Sequence, residues 1–138
     1  MSEIPTVLFV CVKNAGKSQM AAALMRHRYG DAVRVLSAGT RPGTALNETS
    51  LAALQEIGAA PTGERPKPVD DQMLDDADLV VLLGAEVQLD PGGTPVRRWV
   101  TDEPSERGIE GMERMRLVRD DIAAHVAALG DEMSLPRA

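Results

Sequence analysis

The segment Thr6-Val7-Leu8-Phe9-Val10 reads as a buried strand, and Gln19 to Tyr29 as a helix. Between them lies the run Cys11-Val12-Lys13-Asn14-Ala15-Gly16-Lys17-Ser18, which holds the only cysteine of the chain. A loop that leaves a strand and opens a helix can turn its backbone N–H groups inward, where a phosphate-like oxyanion can sit. The positive field of such a loop favours the thiolate form of a cysteine at its lip. The sequence therefore presents a nucleophilic sulfur against a bound tetrahedral anion. This one connection fixes a strand end, a helix start and a chemistry together.

Gly16-Lys17-Ser18 also matches the tail of the nucleotide-binding pattern G-x-x-x-x-G-K-[ST], but the glycine that pattern requires first is here Cys11. The run Asp78-Leu79-Val80-Val81-Leu82-Leu83 ends in Gly84 rather than in a magnesium-binding aspartate. A nucleotide hydrolase is thereby disfavoured.

Apolar runs alternate with helical patterns along the rest of the chain. Val33–Leu36 is expected as a second strand, Leu79–Leu83 as a third and Val96–Trp99 as a short fourth. Helices are expected over Asn47–Gly58, Asp70–Ala77 and from about Glu110, where Met115, Val118, Ile122, Val126 and Leu129 follow helical spacing. Apolar strands separated by helices predict a single α/β domain, a four-stranded parallel sheet flanked by helices on both faces. Its site belongs at the carboxyl ends of the strands, where Cys11 falls. The domain is expected over 1–130, with 131–138 as a loose C-terminal tail.

The length suits one domain with a real core. Phe9, Tyr29 and Trp99 are the only aromatic residues, so aliphatic side chains must fill it. A net charge of −6 argues against nucleic acid or an anionic membrane as partner, and no apolar run is long enough for a membrane span. One cysteine cannot form an internal disulfide, which fits a reducing, cytoplasmic setting. His27 and His125 lack companions at metal-ligand spacing, so no metal is expected. Arg97, Arg98, Arg114 and Arg116 read as a solvated face.

Cys11-x5-Lys17-Ser18 on strand, loop and helix resembles the C-x5-R-[ST] loop of the low-molecular-weight tyrosine phosphatase superfamily, with lysine where arginine is usual. Ser18-Gln19-Met20-Ala21, Ser37-Ala38-Gly39-Thr40 and Gln55-Glu56-Ile57-Gly58 are similar to the arsenate reductase branch of that superfamily. Trp99-Val100-Thr101-Asp102-Glu103-Pro104 stands where the acid loop belongs, without the aspartate-proline-tyrosine usual in phosphatases.

The resemblance implies that Cys11 is the nucleophile and that Val12, Lys13, Asn14, Ala15, Gly16, Lys17 and Ser18 bind the oxyanion. Ser18 would donate to the sulfur, although its plain reading is a helix N-cap. Asn14 would brace the loop. Glu103 before Pro104 would be the general acid, with Asp102 as the alternative. Lys17 offers a point charge where arginine would grip two oxygens, a change that penalises a phosphatase most.

Reduction of arsenate takes two electrons, and thioredoxin-coupled relatives draw on two further cysteines after the third strand. Here that region is Leu82-Leu83-Gly84-Ala85-Glu86-Val87-Gln88. The implied route needs no bound cofactor and borrows an external thiol, mycothiol or else glutathione, with a mycoredoxin or glutaredoxin-like protein completing the reduction. A tyrosine or aryl phosphatase and a non-catalytic oxyanion-binding protein are the alternatives.

Overall fold

A computed structural model describes residues 4–138; the first three residues of the expected domain lie outside the described residues. Four strands, β1 (Thr6–Cys11), β2 (Arg34–Gly39), β3 (Leu79–Leu83) and β4 (Val96–Trp99), form one parallel sheet in the order β2-β1-β3-β4. The helices are α1 (Lys17–Tyr29), α2 (Glu48–Gln55), α3 (Asp71–Asp76) and α4 (Gly111–Glu132). The expected α/β fold is the observed one.

β1 and β3 are buried on both faces, which is why they read as unbroken apolar runs. Alternate side chains divide between two cores. Val7, Phe9, Val81 and Leu83 pack with α1, α2 and α4, while Leu8, Val10, Val80 and Leu82 meet Met73 and Leu74 of α3. Each large apolar side chain fully buried this way contributes roughly 1.5–3 kcal/mol. Helix α1 is covered on nearly all sides, from Ser18 through Met25. Its three consecutive alanines, Ala21 to Ala23, let sheet and helices approach it closely.

Several boundaries differ from the sequence expectation for local reasons. β2 runs on to Gly39 because it pairs with the whole of β1, from Thr6 opposite Arg34 to Cys11 opposite Gly39. α2 stops at Gln55, and Gly58 takes φ 74° so that the Ala59 N–H reaches back to the Leu54 carbonyl at 2.9 Å. The residues expected as a loose tail continue α4 to Glu132. Beyond it, Leu135 packs against the core and the Ala138 N–H bonds the Arg28 carbonyl at 2.8 Å. Of the four arginines read as a solvated face, Arg97, Arg98 and Arg116 are exposed, while Arg114 is half-buried. Arg97 pairs with Glu132, Arg98 donates to the Gly84 carbonyl, Arg114 pairs with Glu103 and Arg116 with Glu56. Among the described residues no helix is long and apolar enough to cross a membrane.

Gly130 marks the tightest helix contact, because a Cβ there would enter the ring of the buried Tyr29. Gly130→Ala is expected to destabilise the fold by ~1–3 kcal/mol through overpacking, read as a lower denaturation midpoint at unchanged slope.

Candidate active site

β1 ends at Cys11 and α1 begins at Lys17, and the path between them is set by what its carbonyls bond. Backbone N–H groups of the following loop clasp it from outside. Thr40 donates to the Cys11 carbonyl at 3.1 Å, Arg41 to Val12 at 2.7 Å, Gly43 to Lys13 at 2.9 Å and Asn47 to Ala15 at 2.8 Å. With its carbonyls turned outward, the loop turns its amides to the other side. Among the described residues, the N–H groups of Lys13, Ala15, Gly16 and Lys17 have no protein acceptor. Gly16 is the N-cap of α1 and brings no side-chain cap, so the helix terminus adds its dipole to the same concavity.

Gly39 explains why Ser37-Ala38-Gly39-Thr40 ends as it does. A Cβ there would lie 2.7 Å from the Val12 carbonyl oxygen and 3.0 Å from the Asn14 nitrogen. Strand β2 and the loop can be neighbours only through a residue without a side chain.

Asn14 is fully buried and adopts φ 53°, a left-handed conformation that asparagine tolerates better than most residues. Its side-chain oxygen accepts from Gln19 Nε2 and from the Lys67 N–H, both at 3.1 Å. Its Nδ2 therefore faces Ser18 and donates to Oγ at 2.7 Å. With that acceptor site used, the single hydroxyl hydrogen of Ser18 is free for the Cys11 sulfur, 2.9 Å away. The Asn14 N–H also donates to Cys11 Sγ, at 3.2 Å. Two donors thus converge on the sulfur, an arrangement that suits a thiolate. Ser18 lies inside the first turn of α1, so it is not the N-cap its plain reading suggests.

Lys17 is half-buried and Lys13 exposed; among the described residues neither has a carboxylate at ion-pair distance. Both line a cavity of about 420 Å3 with Cys11, Val12, Ala15 and Gly16. Its far wall is apolar, built from Met20, Leu83, Met115 and Val118, and Glu86 and Arg114 also line it.

The two carboxyl groups nominated as proton donors are both committed to arginines. Glu103 receives two hydrogen bonds from Arg114, at 3.0 and 2.9 Å, and a third from Ser105. These bonds, chiefly that of Arg114, with the Lys17 charge adding to them, hold its carboxyl below the usual range. Asp102 takes two bonds from Arg107, at 2.8 and 3.1 Å, which likewise lower its pKa. In this state both are carboxylates. Sequence reading passed over Gln19 as a brace of Asn14, although it stands in the segment that carried the resemblance. It read Arg114 as part of a solvated face rather than as the partner of Glu103, since pairing across 11 residues leaves no local pattern.

Residues 6–89 match the family model described as low molecular weight phosphotyrosine protein phosphatase. Arsenate reductase 1 of Bacillus cereus is 34% identical over 130 residues, covering 91% of this chain and 94% of that protein. The arsenate reductase of Archaeoglobus fulgidus superposes with a TM-score of 0.75 at 32% identity, over 89% of this chain and 97% of that one. A thioredoxin-dependent arsenate reductase of Corynebacterium glutamicum gives a TM-score of 0.80 at 30% identity over 96% of this chain, which spans 63% of that longer protein.

Ser18→Ala is expected to slow alkylation of Cys11 by iodoacetamide at neutral pH about tenfold, the loss of one hydrogen bond to a charged acceptor. The folded pKa of Glu103 is depressed, so its pair with Arg114 stabilises the protein above the usual 4.5 and fades as pH falls below it. Glu103→Gln should accordingly flatten the acid limb of stability against pH, measured by urea denaturation between pH 3 and 7.

Proposed function

Because this chain belongs to the low molecular weight phosphotyrosine protein phosphatase family, we propose that it reduces arsenate to arsenite with electrons from an external thiol. The observation that carries this reading is a single cysteine seated in an anion-ready loop, with no second thiol anywhere in the chain. Its similarity to arsenate reductases supports the choice of arsenate over a phosphate ester.

The chemistry follows from the residues. Arsenate enters the loop with its oxygens on the amides of Lys13, Ala15, Gly16 and Lys17 and beside the Lys17 ammonium. The Cys11 thiolate attacks arsenic; an S–As bond forms, an As–O bond breaks, and the oxygen leaves as water. We assign the proton to Glu103, which must first leave Arg114 and take up a proton from solvent before it can donate to the departing oxygen, with Asp102 as the alternative donor. The departure of Cys11 is eased by the two hydrogen bonds that await its sulfur.

A low-molecular-weight thiol then attacks arsenic and displaces Cys11, leaving a thiol–arsenate adduct in which arsenic is still pentavalent. A mycoredoxin or glutaredoxin-like protein attacks the adduct's sulfur. An S–S bond forms, the electron pair of the S–As bond stays on arsenic, and arsenite departs. Two thiols have given two electrons and become one mixed disulfide. Mycothiol is the thiol we favour, and the cytoplasm the setting that keeps Cys11 reduced.

Lys17 supports a reductase over a phosphatase. Phosphoryl transfer relies on a fork that follows the equatorial oxygens, and lysine contacts them as a point charge. The test is arsenite release from arsenate with mycothiol plus mycoredoxin, or glutathione plus glutaredoxin. Turnover with either pair, absent in Cys11→Ser, is expected. Hydrolysis of an aryl phosphate without any thiol, in the absence of arsenate turnover, would overturn the reading. Lys17→Arg should raise aryl phosphate hydrolysis about tenfold, one regained charge-assisted hydrogen bond.

A further inference from the structure

The cavity beside Cys11 is larger than the anion requires. At about 420 Å3 it falls in the range, roughly 300–1,000 Å3, of sites that hold small organic molecules. If the anion occupies the loop, the remaining space is bounded by Met20, Leu83, Met115 and Val118, with charged groups beside it. A co-substrate thiol has to lie here to bring its sulfur to arsenic.

The charges around this space leave an imbalance. Lys13 and Lys17 neutralise a dianion in the loop. Arg114 spends two donors on Glu103 and has no fork open for another carboxylate. Glu86 remains, exposed and without an ion-pair partner among the described residues. Its carboxylate is folded back over Gly84, with oxygens 2.8 and 3.0 Å from where a Cβ would stand. The pairing of Val10 with Leu82 sets the end of β3 level with the start of the Cys11 loop, and Gly84 follows directly. Glu86 and Lys17 also line the adjoining hollow, where Asp102, Glu103 and Glu106 stand. Arg107 and Arg114 take the charges of Asp102 and Glu103, and Arg98 donates to the Gly84 carbonyl, so Glu86 and Glu106 are the carboxylates of this hollow without an ion-pair partner among the described residues.

We propose that Glu86 is a specificity determinant that selects for thiols without carboxylates and against anionic ones. It rests on the thiol-dependent reading above and assigns the co-substrate a class: a thiol whose remaining groups are uncharged amides, hydroxyls or esters. The discrimination is electrostatic, acting across a few ångströms of partly solvated space, so its size is about three- to tenfold in kcat/KM and falls with added salt.

Glutathione and its diethyl ester carry the same sulfur and differ in two carboxylates, which makes them the probes. With wild-type protein, arsenate-dependent consumption of the ester should exceed that of glutathione by this factor, more at low ionic strength. Glu86→Gln should bring the two together. Equal use of both thiols by the wild type, or a preference that survives Glu86→Gln, would overturn the proposal. A second arm needs no arsenate: exchange of Cys11 with oxidised glutathione and with its tetraethyl ester. There Glu86→Gln should raise the rate with the anionic disulfide relative to the ester. A positive exchange arm without arsenate turnover would retain the role of Glu86 and reject the reductase; an unmoved ratio would reject the role of Glu86.

Discussion

Four hydrogen bonds between two loops decide what this molecule can bind. The segment after β2 takes the carbonyls of Cys11, Val12, Lys13 and Ala15, while among the described residues the amides of Lys13, Ala15, Gly16 and Lys17 have no protein acceptor. These unbonded amides give an acidic chain of net charge −6 a wall of backbone donors. Gly39 permits the approach and Asn14 holds the bend. Around them the sheet supplies a rigid floor, since β1 is hydrogen-bonded on both edges by β2 and β3.

The nucleophile is organised in the same manner, through the direction of its donors. Gln19 and the Lys67 amide orient the Asn14 side chain, Asn14 orients the Ser18 hydroxyl, and Ser18 faces the sulfur. The chain of bonds begins outside the loop, since the Gln19 amide also reaches the Arg65 carbonyl at 3.3 Å. Residues 65–67, in a connecting segment with no strand or helix of its own, thereby contribute to an atom they never touch.

Much of this was legible in the chain. The unbroken apolar runs of β1 and β3 declared buried parallel strands, and Cys11 was expected where it stands, at a strand end in a loop that opens a helix. What could not be read depended on partners distant in sequence. The partners of the arginines were hidden because they lie elsewhere in the chain: Glu103 for the half-buried Arg114, Glu56 for Arg116 and Glu132 for Arg97. Glu103 and Asp102 looked like free acids for the same reason. The C-terminal residues looked loose because composition does not reveal that Leu135 meets the core or that Ala138 closes on Arg28. Local pattern gives elements and loops; charge pairing belongs to the folded chain.

Helix α1 carries one further consequence. It is packed on nearly every side, yet its first turn bears Lys17 and Ser18, and Met20 belongs at once to the core and to the cavity wall. The anion seat is therefore inherited with the fold and cannot drift without disturbing the interior. Any change that shifts the loop must shift Met20 with it, and so registers in the stability of the whole domain.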